Sequence, residues 1–214
     1  MTAATADLHC SRSDDRYQLE VASETVGLAR SVWKFDVRHT SVSDARTLRP
    51  VRVREVETQG SKHLETEVNF TPEAVAGRRV EQGKNGTKTT NRSFEFPNVL
   101  SVSSALLYLR SKSLTDGTVE RLVVYPSTNA YVCTVAVLGR EQLSVPTGSY
   151  GAIKLDMKLN KVGKNHELVP YKKFKRATVW LSNDADRLIL RIEAQISFGT
   201  VFGELQSVQF ENGK

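Results

Sequence analysis

The sequence predicts an all-β protein with one short helix, built as a strongly curved antiparallel sheet or an incomplete β-barrel. Three observations carry this. Apolar and polar residues alternate at period two through most of the chain, the mark of half-buried strands. Turn signals recur at short spacing, among them Gln59-Gly60-Ser61, Lys84-Asn85-Gly86-Thr87, Asp116-Gly117 and Pro146-Thr147-Gly148, as in sandwiches and barrels. A single stretch, Asn98 to Leu109, has helical spacing instead.

The elements follow in order. Tyr17, Leu19 and Val21 alternate with Gln18 and Glu20, and Trp33, Phe35, Val37 and His39 alternate with Lys34, Asp36 and Arg38. Gly27 between them marks a turn or bulge. Val51 and Val53 begin a further strand, which Gly60 turns into Leu64, Thr66, Val68 and Phe70. Asn85-Gly86 accepts the positive φ angles of a type I′ hairpin turn. From Asn98, the residues Val102, Ala105, Leu106 and Leu109 form one helical stripe, expected to cover a face or end of the sheet, with Asn98 or Ser101 as cap. After Gly117 strands return as far as Phe210. Leu122 to Tyr125 leads through Pro126-Ser127-Thr128-Asn129 into Tyr131 to Leu138. Ile153, Leu155, Met157 and Leu159 oppose Lys154, Asp156, Lys158 and Asn160, predicting one dry and one wet face. Thr178 to Leu181 and Leu188 to Ser197 flank a polar turn, Ser182 to Asp186, and Gly199 and Gly203 read as bulges in the last strand.

The chain has 214 residues, 39% of them hydrophobic and 25% charged. That is a globular composition with enough length for a packed core. No apolar run approaches the roughly 20 residues of a membrane helix, and residues 1–6 lack the basic start and apolar stretch of a signal peptide. The formal charge of +6 favours acidic polymers weakly. Its densest cluster is Lys161, Lys164, Lys172, Lys173, Lys175 and Arg176. A solvated loop is the bland reading, and Lys172, Lys173, Lys175 and Arg176 are the polyanion candidates. No nucleic-acid motif accompanies them. Cys10 and Cys133 are too few for a disulfide framework, and spacing leaves a bridge and two buried thiols both open.

Several segments together resemble the uncharacterised bacterial family DUF3108. They are Ser43-Asp44 with Thr47-Leu48-Arg49-Pro50, the helix Ser104 to Arg110 with Asp116-Gly117, Gly139-Arg140-Glu141, Pro146-Thr147-Gly148, Trp180-Leu181-Ser182-Asn183-Asp184 and Gly203-Glu204-Leu205. The resemblance runs from about Tyr17 to Phe210 and implies a single β domain over residues 1–214. It also implies a periplasmic or secreted envelope protein of Gram-negative bacteria. Such proteins usually carry a signal peptide and one more strand ahead of the part seen here, so both are expected to be missing from this sequence. The family has no agreed activity, and the resemblance assigns no cofactor.

Candidate chemistry is sparse. Asp184 and Asp186 share one polar turn, and Asp156 and Glu193 are the carboxylates that folding could bring beside them. Two carboxylates with split proton affinities can run acid hydrolysis, so a secreted aspartic-type peptidase acting on glycoproteins is the alternative function. The Asp-Thr/Ser-Gly loop of pepsin-like enzymes is absent, and an Asn- and Asp-rich corner is first of all a turn. Arg187 is placed to pair with Asp184 or Glu193. His9, His39, His63 and His166 show no metal-ligand spacing, although His39 and His63 read as lying on neighbouring strands. The leading expectation is a non-catalytic domain that binds an apolar or glycan ligand, or an envelope protein, in a concave face. Trp33, Tyr108, Tyr150 and Trp180 are the residues expected to line it, because aromatic walls suit sugars and acyl chains. For Trp33 and Trp180 taken singly, core anchoring is the first reading and cavity lining the alternative.

Overall fold

The computed structural model describes residues 2–84, 86–163, 165–171, 174–196 and 199–210. The chain is all-β, with two short helices rather than one, and forms two compact units: Met1–Tyr108 with Val123–Ala130, and Leu109–Leu122 with Tyr131–Lys214.

The first unit is an antiparallel meander of seven strands in chain order. They are β1 (Ala4–Ser13), β2 (Arg16–Thr25), β3 (Phe35–Asp44), β4 (Pro50–Gln59), β5 (Lys62–Phe70), β6 (Ala74–Gly83) and β7 (Gly86–Glu95). β1 and β7 are its edges, so this sheet is open. β1 is almost wholly exposed, which explains why alternation does not reveal it. The buried face carries Leu19, Val53, Leu64, Val68 and Val75. Gly60 turns at φ +59 and Gly86 at φ +104, as the glycines of the two turn signals require; Asn85 lies outside the described residues.

Two elements depart from expectation. Gly27 opens a six-residue helix, α1 (Gly27–Val32), and the next strand starts at Phe35 rather than Trp33. Thr25 fixes both ends of this insertion: its hydroxyl accepts from Phe35 N at 3.1 Å and donates to Trp33 O at 2.9 Å. The predicted helix is α2 (Val102–Arg110). Ser101 Oγ accepts from Ser104 N at 3.0 Å, and Ser101 N donates back to Ser104 Oγ at 2.9 Å. This reciprocal box uses Ser where Glu or Gln is usual. Ala105 and Leu109 are buried, but Val102 at the head of the stripe is exposed. The side of α2 that meets the sheet is its serine side: Ser103 touches His39 and Ser101 touches Ser41.

The second unit has the strand order β14-β13-β12-β10-β9-β8, with β11 also beside β10. These are β8 (Val119–Val124), β9 (Tyr131–Val145), β10 (Gly148–Val162), β11 (Leu168–Pro170), β12 (Phe174–Ser182), β13 (Ile189–Ile196) and β14 (Gly199–Glu204). β9 and β10 form a long hairpin closed between Val145 and Gly148, where the Pro-Thr-Gly turn predicts it. Leu138 is the extra residue of a bulge, since Lys154 faces Gly139 while Leu155 faces Val137. Gly199 and Gly203 are not bulges. Gly199 (φ +138) starts β14, and Gly203 pairs regularly with Ile192. The simple dry-and-wet split of β10 also fails. Ile153 and Leu155 are buried on one side, and Ala152 and Asp156 on the other. The second side holds a core of its own, in which Val145, Ala152, Trp180 and Leu190 pack together.

Candidate functional site

Strand register on the first sheet assembles a polar row across its buried face. His39 on β3 faces Glu55 on β4, Glu55 faces Thr66 on β5, and Thr66 faces Arg79 on β6. Glu57 is two residues beyond Glu55 and therefore on the same face. These side chains share their phase with Val53, Leu64 and Val68, so period two holds them where the chain is otherwise dry.

The row is knit by directed contacts. His39 Nδ1 lies 3.1 Å from Glu55 Oε2, and its Nε2 lies 3.3 Å from Ser103 Oγ on α2. Glu57 accepts from Gln59 Nε2 at 2.8 Å and lies 3.6 Å from Arg79 Nη2. Burial, and next the charge of Glu55, push the Glu57 carboxyl above the ordinary carboxylate range. Thr66 is 2% exposed, and its hydroxyl has no hydrogen-bond partner among the described residues. A buried hydroxyl in that state costs about 1–3 kcal/mol, which makes Thr66 the unsatisfied point of the row. The opposite face of the same strands has a small hollow of about 150 Å³ in which Arg52, Arg54 and Arg78 alternate with Glu65 and Glu67. Three guanidinium groups against two carboxylates leave it one positive charge in excess.

The carboxylates of the Ser182–Asp186 corner have a different role. Asp184 Oδ1 accepts from Ser182 Oγ at 2.6 Å and from the backbone N of Asp186 and of Arg187, each at 3.1 Å. Those bonds, the Ser182 hydroxyl first, hold its carboxyl below the usual range. Asp184 therefore closes its own turn as an exposed acceptor. Asp186 is exposed, and its carbonyl accepts from Arg110 Nη2 at 2.5 Å. Asp156 pairs with Arg176, and Glu193 with Arg191, so these carboxylates are not gathered into one desolvated pair. Arg187 directs its guanidinium to Asn183 Oδ1 and Ser182 O.

The four aromatic candidates divide between the units. Trp33 is exposed and stacks on Phe35 at 5.0 Å in the first unit. Tyr108 is half-buried on α2. Tyr150 and Trp180 of the second unit meet in its core cluster. The Trp180 ring is covered by Lys154 at 5.2 Å and Arg191 at 5.7 Å, and its indole N–H donates to Glu141 Oε1 at 2.5 Å. It is a core anchor under a cationic lid. His39 and His63 do not face each other, because β4 lies between their strands. Cys10 is exposed and Cys133 buried, and both are free thiols. Of the polyanion candidates, Lys172 and Lys173 and the side chain of Lys175 lie outside the described residues; Arg176 is engaged by Asp156.

The segments that carry the family resemblance are joints. Asp44 Oδ1 accepts from Arg46 N, Thr47 N and Thr47 Oγ1 in the β3–β4 corner. Arg140 pairs with Asp116 and donates to Leu114 O at 3.0 Å. Glu141 holds Trp180, and Asp184 holds its corner.

Two antiparallel sheets with two short helices place the described residues among all-β folds. The chain belongs to the family described as Protein of unknown function (DUF3108), whose family model matches residues 1–206. A solved structure similar in fold is the beta-barrel-like protein of the domain of unknown function DUF1849 from Brucella abortus. It matches with a TM-score of 0.59 at 9% identity, covering 92% of this chain and 83% of that one, a likeness of fold alone. Comparison with curated proteins gives no match.

Proposed function

We propose that this chain is a non-catalytic binding domain of the bacterial envelope, periplasmic or secreted, and that its ligand is a glycan held on the buried face of the first sheet. The carrying observation is the row His39, Glu55, Thr66 and Arg79, with its orphan Thr66 hydroxyl. Carboxylates accept, a guanidinium donates, and hydroxyl and imidazole groups do either. Such a mixture suits sugar hydroxyls, which are both donors and acceptors. It does not suit an acyl chain, which would leave every one of these groups unpaired. Asp184 is occupied in its turn, which favours binding over a peptidase acting through Asp184 and Asp186.

The test exposes the protein to separate pools of oligosaccharides and fatty acids and reads retention by native mass spectrometry. An oligosaccharide should be retained, and Thr66→Val or His39→Ala should weaken it by about tenfold, the worth of a good hydrogen bond. Retention of fatty acid only, or of a sugar indifferent to both substitutions, would overturn the reading.

A further inference from the structure

We propose that the α1 end of the first sheet is a membrane-contact tip that docks on an anionic lipid surface. α1 has no buried residue. Leu28 and Val32, four apart and so on one side of the helix, are 69% and 90% exposed, and Trp33 beside them is 57% exposed. A six-residue helix that contributes nothing to the core, yet with the Trp that follows it holds three large apolar side chains in water, marks a contact surface.

The frame around these side chains is ordered. Val26 N donates to Ala3 O at 3.0 Å, and Gly60 N to Lys34 O at 2.9 Å. Arg30 donates to Thr25 O at 3.1 Å and to Asp36 Oδ1 at 2.6 Å. Trp33 stacks on Phe35 with the rings 25° apart. The tip therefore presents its apolar groups pre-arranged.

Charge selects the occupant. Register places the β4–β5 and β6–β7 turns at the same end of the sheet as α1. The basic groups there are Arg30, Lys34, Lys62, Lys84 and Lys88, against Glu24, Asp36, Glu57 and Glu81. Arg30 lies against Asp36 and Glu24, and Lys62 against Glu81. Lys34, Lys84 and Lys88 are exposed and make the excess. Protein interfaces are depleted in Lys. A Trp with two aliphatic side chains beside Lys34, on an end of the sheet with more basic than acidic groups, is a composition that sits at a bilayer's headgroup level and is drawn to anionic lipid. With so few inserted groups, the binding is shallow and reversible.

The experiment is flotation with vesicles of phosphatidylglycerol mixed into phosphatidylcholine, beside vesicles of phosphatidylcholine alone. Binding to the anionic vesicles is expected, weaker at high salt, with a blue shift of tryptophan emission that disappears in Trp33→Phe. Leu28→Asp with Val32→Asp should reduce binding by about tenfold or more. It should leave circular dichroism and melting unchanged, because no buried contact is removed. Lys34→Glu with Lys84→Glu should weaken binding to the anionic vesicles only. Failure to float with either vesicle, or flotation that survives Leu28→Asp with Val32→Asp, would overturn the proposal. Self-association abolished by that pair, without vesicle binding, would assign the tip to a second copy of the chain instead.

Discussion

Thr66→Val should make the free protein more stable while weakening its ligand. Thr66 lies mid-strand on β5, is 2% exposed, and has a hydroxyl without a hydrogen-bond partner among the described residues. Val keeps the β-branched shape that a strand favours and replaces the hydroxyl with a methyl group. The penalty for a buried, unsatisfied hydroxyl is about 1–3 kcal/mol. The polar neighbours Glu55 and Arg79 lower that figure, so a gain of about 1–2 kcal/mol is expected. For a chain of this size each kcal/mol moves Tm by about 2–4 °C, giving a rise of about 2–8 °C. Calorimetry and urea titration read the change, with Thr66→Ala as companion. Ala lacks both γ-methyl groups of Val and should fall below it by about 1–3 kcal/mol. A Thr66→Val protein less stable than the parent by 1 kcal/mol or more would refute the reasoning. It would show that the hydroxyl is satisfied in the free protein, through a bridging water, leaving no open position for a glycan.

Three further outcomes follow from the same structure. A thiol reagent should label exposed Cys10 rapidly in the native protein and reach Cys133 only on unfolding, because burial pushes the Cys133 thiol up to about 11; equal rates would contradict the packing of β9. Asp184→Ala should cost about 1–2 kcal/mol from three lost hydrogen bonds at an exposed site, read by denaturant titration. Its carboxyl is held below the ordinary value, so this contribution is present at neutral pH and is lost as pH falls below the usual Asp range; a difference that persists unchanged to the lowest pH would reject that account. Glu57 is shifted the other way. Its ionised form is disfavoured by burial, so the folded state loses stability as pH rises through its raised value. The melting temperature of Glu57→Gln relative to the parent should therefore be higher at pH 7.5 than at pH 4.5, and no change between the two would show that Arg79 fully compensates the charge.

Much of the architecture is legible locally. Turn chemistry at Gly60 and at Pro146-Thr147-Gly148 gives the hairpins where they stand, and Ser101 caps the helix that the Leu106 and Leu109 spacing announces. α1 is not legible, because Gly27 followed by five residues reads equally as a bulge. Whether Leu28 and Val32 find a core to bury in depends on distant strands. β1 is hidden because an exposed edge strand needs no apolar phase.

The candidate site divides along the same line. The sequence by itself determined that Leu64, Thr66 and Val68 share one phase of a strand; it did not single out Glu55, Glu57 or Arg79, which read as ordinary charged strand residues. It also determined that Asp184 sits in an Asn- and Asp-rich corner, whose side chains bond their own backbone. Only the tertiary structure decided that His39, Glu55, Thr66 and Arg79 stand in one row, that Ser103 of α2 meets His39, and that Trp180 lies under Lys154 and Arg191. The reason is register. Alternation gives each strand its two faces, but the pairing of strands chooses which residues stand opposite, and a slip of one residue moves every side chain to the other face.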